Sequence, residues 1–234
     1  MNTISKVLVT TALLLAASVS AAQTDEEELK IAAMEALITA PPERALPIVQ
    51  KVLAGNGSDE LKEKALFILS QIDAEEAQTA LLKAANESSG ELRLEAVRMI
   101  GIGGNAETMK ALAAIYESGD AELKEAVLEA YLIADDEEAI FQIANKAEDP
   151  DEFENAVEML GAMHATEKLA QLRANKGVSE GLITAFMIAG DEETLLEMYR
   201  SSDDVDEKRE IMEMLVAMDA EGIWDIIDQA LGDE

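Results

Sequence analysis

The chain has no cysteine. That absence excludes disulfides, thiolate metal sites, cysteine nucleophiles and a lipid-bearing N-terminal cysteine. A single histidine, His164, excludes histidine dyads and two-histidine metal sites. Aromatic residues make up 3% of the sequence and prolines number four, so bulky side chains and helix breaks are both rare. Positive charge is scarce as well: 18 Lys and Arg stand against 49 Asp and Glu, for a formal charge of −31. A polyanion of this kind is repelled by nucleic-acid phosphates and by anionic lipid headgroups, which excludes nucleic acid as a partner class. The charge either favours a cationic protein partner or serves only to keep the surface hydrated.

No apolar run reaches the roughly 20 residues that a membrane-spanning helix needs. The nearest, Val7 to Val19, is broken only by Thr10, Thr11 and Ser18. It follows Lys6 and leads into Ser18-Val19-Ser20-Ala21-Ala22, a small-residue cleavage site after Ala21 or Ala22. This is the pattern of a secretory signal peptide over residues 1–22. The expectation is a flexible leader over 23–27, a fold over 28–234, and a periplasmic product not inserted in the membrane. A cut after Ala22 removes Lys6, leaving 17 basic residues against 49 acidic ones and a charge of −32.

Apolar residues form 49% of the chain, too many for disorder despite the charge. They recur as a small or apolar residue, a larger apolar one, and a third three positions later. The copies are Ala33-Met34 with Leu37, Ala65-Leu66 with Leu69, Ala96-Val97 with Ile100, Ala126-Val127 with Ala130, and Ala156-Val157 with Leu160. Gly181-Leu182 with Ala185 and Ile211-Met212 with Leu215 are weaker copies. Successive spacings are 32, 31, 30, 30, 25 and 30 residues, a period that marks a solenoid.

Within a unit the apolar spacing is helical, as in Leu92, Ala96, Val97 and Ile100. Each such helix ends in a stop and restart, such as Thr39-Ala40-Pro41-Pro42, Asp73-Ala74-Glu75, Gly103-Gly104-Asn105-Ala106, Asp135-Asp136-Glu137 and Asp219-Ala220-Glu221. Asp, Asn and Thr there are expected to accept from the free N–H groups of a second helix, and first-turn glutamates complement its dipole. The second helices are predicted over Glu43–Leu53, Glu75–Ala85, Glu107–Tyr116, Glu137–Ala147, Glu167–Ala174, Glu192–Arg200 and Glu221–Leu231. No strand-like alternation of useful length occurs. The fold class is all-α: a right-handed α-solenoid of about seven helical hairpins in one stack.

The segments ELRLEAVRMIGIGGNAE (91–107) and ELKEKALFILSQIDAEE (60–76) resemble HEAT repeats of the short type found in phycobilisome-lyase-like families. The resemblance spans about Glu28 to Glu234 and is strongest around Leu61, Leu92 and Ala126. It implies stacking and protein binding. No residue matches a catalytic motif, so the expectation is a non-enzymatic scaffold or adaptor with no cofactor. A metal-handling or carboxylate-based enzyme accessory and a chaperone-like binder are the alternatives. Tetratricopeptide repeats, with a 34-residue period and an aromatic signature, fit poorly.

Several constellations bear on chemistry. Gly101-Ile102-Gly103-Gly104 lies between helices with no strand before it and no Lys-Ser/Thr after it, and reads as a turn rather than a phosphate loop. Met159, Met163 and His164 form either a soft copper set or ordinary core filling. The C-terminal methionines Met187, Met198, Met212, Met214 and Met218 fill a core or line an adaptable groove. Asp149-Pro150-Asp151-Glu152 and Asp203-Asp204-Val205-Asp206-Glu207 lack the glycine and distal glutamate of a calcium loop, and no metal site is assigned. Basic residues recur on the second helices: Lys51, Lys83, Lys110, Lys146, Arg173 and Arg200. They either complement helix C-termini or form a ladder for an acidic partner. Trp224 either closes the last repeat or anchors a partner. Lys83, Lys110, Lys146, Arg173, Arg200 and Trp224 are the candidate partner-binding residues.

Overall fold

The small-then-large apolar pair is what the helices bury. In a computed structural model that describes residues 26–232, the triplets 65/66/69, 96/97/100, 126/127/130 and 156/157/160 are all 0% exposed. The first copy departs from this rule, since Met34 is buried but Ala33 is exposed. Each buried Val, Leu or Ile stabilises by about 1.5–3 kcal/mol, and the small partner lets the next helix close on it. The proposed signal peptide and most of the leader lie outside the described residues.

Among the described residues the chain is all-helical, with no strand and a repeat arrangement consistent with an α-solenoid. Helix α1 covers 26–37. It is followed by α2 (Pro42–Leu53), α3 (Asp59–Ser70), α4 (Glu75–Glu87), α5 (Glu91–Gly103), α6 (Ala106–Ser118) and α7 (Ala121–Ile133). Then come α8 (Glu137–Lys146), α9 (Pro150–Ala162), α10 (Thr166–Lys176), α11 (Glu180–Ala189), α12 (Glu192–Ser201), α13 (Val205–Ala217) and α14 (Glu221–Gly232). The even-numbered helices are the second helices, and each boundary falls within two residues of its predicted position. None of the helices is long and apolar enough to cross a membrane among the described residues. The helices group into two compact units, one ending at Thr108 and the other beginning at Met109. In the first, α3 packs on α2, α4 and α5; in the second, α9 packs on α8 and most extensively on α11.

The acidic residues at the helix starts divide into two physical roles. Asp120, Asp136, Asp149, Asp191 and Asp204 cap helices through their side chains, as do Ser58 and Ser179. Asn105 caps α6, accepting from Glu107 N–H at 3.0 Å and Thr108 N–H at 3.3 Å. Asp73, Thr39 and Thr166 do not cap, contrary to expectation: the residues at the cap positions are Ala74, Pro41 and Ala165, which carry no acceptor. Asp135 and Asp219 are also not caps. They sit at φ 57° and 55°, in the left-handed region where each helix reverses, a position that His164 shares at φ 55°.

These reversals close with paired backbone bonds. Asp135 N–H reaches Leu132 O at 3.1 Å and Asp136 N–H reaches Tyr131 O at 2.9 Å; His164 and Ala165 repeat the pattern on Gly161 and Leu160. Gly190, at φ 73°, fills the same place after α11 without steric cost. Asp135→Gly should therefore stabilise the protein by about 1 kcal/mol, since a non-glycine residue costs about 1–2 kcal/mol there. Chemical denaturation of the variant, with an unchanged or lower midpoint, would count against this reading of the turn.

Candidate functional site

A second helix exposes the flank that its hairpin partner does not cover, so neighbouring second helices leave grooves between them. In the first unit the C-terminal end of α2 and the outer face of α4 border a groove of about 800 Å³, with Gln50, Leu53, Thr79 and Lys83 on its walls. In the second unit α6 and α8 border one of about 620 Å³. Its apolar lining comes from Ala113, Ala139 and Ile143, and its rim carries Glu117, Glu148 and Asp149.

Two tyrosines distinguish the second groove. Tyr116, near the end of α6, and Tyr131, on α7, line it while remaining 7% and 3% exposed. Burial pushes the Tyr116 phenol up to about 12, with Glu152 and Asp149 adding to the shift. Burial, then Asp136, does the same to Tyr131. Both phenols are therefore neutral donors at ordinary pH. Tyr131 Oη donates weakly to Met109 O at 3.5 Å, and the Tyr116 hydroxyl makes no hydrogen bond among the described residues. Lys124 of α7 lies 5.3 Å from the Tyr116 ring centroid and pairs with Glu152. The groove thus already holds one ammonium between an aromatic face and a carboxylate, the arrangement that favours a desolvated cation.

The same device recurs around it. Lys168 lies over Phe141 and pairs with Glu138 at 2.8 Å, so Glu138 is held below the usual carboxylate range by that hydrogen bond and then by Gln142. Lys176 lies over Phe153 and donates to Ala147 O at 2.8 Å, and Lys208 lies over Tyr199. In the first unit Lys64 pairs with Glu35 at 3.1 Å. Several of the scarce basic residues therefore join one hairpin to the next.

The predicted basic residues take different local places within each unit. Lys83 lines the α2–α4 groove, one turn short of the helix end because α4 continues to Glu87, with which it pairs at 3.8 Å. Lys110 is exposed in the first half of α6. Lys146 lines the α6–α8 groove from the last turn of α8. Arg173 is half-buried on α10, bridging to Glu197 of α12 at 3.6 Å, and Arg200 is exposed in the last turn of α12. Trp224 does not close the last repeat: it is 53% exposed, while its neighbour Ile223 turns inward at 0%.

The copper and calcium candidates are structural elements. His164 sits at a chain reversal with Nδ1 3.2 Å from Ala189 O. Asp149 accepts from Asp151 and Glu152 N–H, and Asp204 from Asp206 and Glu207 N–H, so both acidic loops turn a carboxylate onto a helix start. Of the C-terminal methionines, Met198 is core at 1% exposure, and Met187, Met212, Met214 and Met218 are half-buried.

A third groove, between the starts of α11 and α13, is acidic: Glu180, Asp204, Asp206, Glu207 and Glu213 surround Glu210, with Arg209 the nearest cation and itself paired to Asp206 at 3.1 Å. Glu210 Oε1 is buried without a hydrogen-bond partner among the described residues. Burial raises this carboxyl, and Glu180, Glu207 and Glu213 add to the effect. Its contribution to stability is full below the usual carboxylate range and is lost as pH rises through the elevated value. Glu210→Gln should raise stability near neutral pH by about 1 kcal/mol, the scale of one unsatisfied buried group. Melting curves compared over pH should show the gap closing on acidification; a gap independent of pH would contradict the assignment.

Residues 46–132 match the family of HEAT repeats. No curated protein matches the chain. Among solved structures it is similar to the complex of CpcE and CpcF of phycocyanin lyase from Nostoc sp. PCC7120, with 21% identity over 74% of this chain and 76% of that one, at a TM-score of 0.41. That neighbour is part of a lyase, which corrects the expectation of a non-enzymatic chain: absence of a familiar catalytic motif does not separate such folds from enzymes. Residues 46–132 thus match HEAT repeats, and helical hairpins continue after them to the end of the described residues.

Proposed function

We propose that the protein is an exported, protein-binding helical-repeat scaffold whose acidic surface steers a cationic partner. The observation that carries this reading is the distribution of charge. Of 18 basic residues against 49 acidic ones, several are held in pairs between hairpins, including Lys64, Lys124, Lys168 and Arg173. The grooves between second helices are left concave and accessible, with carboxylates on their rims. A surface of one sign raises the encounter rate with the opposite sign and suppresses wrong partners. Export rests on the Lys6, Val7–Val19 and Ala21-Ala22 pattern.

Cross-linking of the full chain in the host envelope, followed by mass spectrometry of the product and of its N-terminus, tests both parts. A basic protein partner whose complex dissolves as salt rises, and a mature chain starting at Ala22 or Gln23, are expected. A partner as acidic as the chain overturns the electrostatic reading, and an uncut N-terminus overturns export.

A further inference from the structure

We infer that the α6–α8 groove is the seat of an arginine or lysine side chain from an extended cationic segment of the partner. This rests on the scaffold reading and adds the place and the chemistry of contact. The groove is about 620 Å³, enough for a side chain and its neighbouring backbone. Its contents are those a cation recognises. Tyr116 is buried to 7% exposure, lines the cavity, and has a hydroxyl with no hydrogen bond among the described residues. The Tyr116 hydroxyl, accessible from the groove and without a protein partner among the described residues, can accept an N–H from such a ligand.

The rim gives the sign of that ligand. Glu117, Glu148, Asp149 and Glu152 line it together with Lys124 and Lys146. Glu152 is taken by Lys124, and Asp149 is partly taken by the start of α9. Glu117 and Glu148 are exposed with no ion pair among the described residues, so the net field at the mouth is negative. Ala113, Ala139 and Ile143 offer the apolar lining along which the methylenes of a long basic side chain lie while its head meets carboxylates. Lys124 shows the mode inside the protein itself, an ammonium over the Tyr116 ring beside Glu152.

The α2–α4 groove lacks this combination. It is larger and has its own excess of carboxylates, Glu75, Glu76 and Glu87 against Lys83, but no aromatic side chain lines it. A cation is therefore directed to the second unit.

The test uses the full chain in solution and a short peptide alternating arginine with alanine on the sensor, with a glutamate–alanine peptide as reference. The double variant Glu117→Gln/Glu148→Gln should weaken arginine-peptide binding about tenfold, as expected for charge-assisted contacts at a partly desolvated site. Tyr116→Phe, which keeps the ring, should weaken it about two- to threefold at unchanged thermal stability. The control Glu60→Gln/Glu63→Gln makes the same change in net charge on exposed positions of α3 and should cost less than twofold. Equal losses for groove and control would show a diffuse field and overturn the site while leaving the scaffold reading intact. No preference of the native chain for the arginine peptide over the glutamate one would overturn the site and the cationic-partner reading together. A basic partner recovered by cross-linking whose binding ignores all three variants would overturn the site alone.

Discussion

Gly161→Ala should lower stability by about 3 kcal/mol, toward the upper end of what overpacking costs. A Cβ at this position would stand 2.6 Å from the backbone oxygen of Ala185 and 3.1 Å from its Cα. The obstacle is main chain of α11, which cannot rotate away as a side chain would. Alanine is intrinsically better than glycine in a helix by about 1 kcal/mol, so the sign of the result decides between propensity and packing. The seam between α9 and α11 is the most extensive helix contact, and Leu160 beside it is fully buried, so the shift would propagate into the core. Thermal unfolding followed by circular dichroism is the measurement. A neutral or stabilising outcome would mean that the two helices separate at little cost, and the close-approach account of the small residues would fail.

Alkaline pH should unfold the protein in a transition that two tyrosines dominate. Tyr116 and Tyr131 both titrate at about 12 in the folded chain because burial penalises their phenolates. An exposed tyrosine titrates near 10, so the unfolded chain gains the advantage first. Stability is fully present below about pH 10 and is lost as pH rises toward 12, by a few kcal/mol for the pair. Tyrosinate absorbance should rise together with loss of helix. Tyr131→Phe should carry the folded state to higher pH, whereas absorbance that rises well before helix is lost would show the phenols to be accessible.

The stacking of hairpins was legible because it repeats. A buried Ala-apolar pair at a period near 30 residues is a statement about helix faces, and the faces fell where the pair indicated, as at Ala65-Leu66 and Ala156-Val157. Turn chemistry was legible in kind but not in detail. Asp135 and Asp136 are identical side chains on adjacent residues, yet one occupies a left-handed reversal and the other caps a helix. A side chain's identity permits both roles, and only the chain's direction chooses.

The groove was not legible, for a different reason. Its wall is assembled from Tyr116 on α6, Tyr131 on α7 and Glu148 after α8, residues that no local pattern joins. The sequence carried one usable clue, since two of only three tyrosines fall in consecutive helices of one hairpin pair. Basic residues drew attention instead because they recur at helix ends. Of these, Arg173 bridges to Glu197 of α12, while Lys168, which lies outside that pattern, holds Glu138. For Trp224 the sequence left closure and exposure open, and the inward place went to Ile223.

The lysines seated on aromatic rings have a practical consequence at the bench. Lys124, Lys168, Lys176 and Lys208 lie 5.3–5.5 Å from the ring centroids of Tyr116, Phe141, Phe153 and Tyr199. Amine-directed coupling to a chip, a dye or a resin would acylate them and discharge contacts within and between hairpins. Reductive methylation, which keeps the positive charge, is the gentler labelling route, and attachment through an engineered cysteine in a chain that otherwise has none would leave every one of these clamps in place.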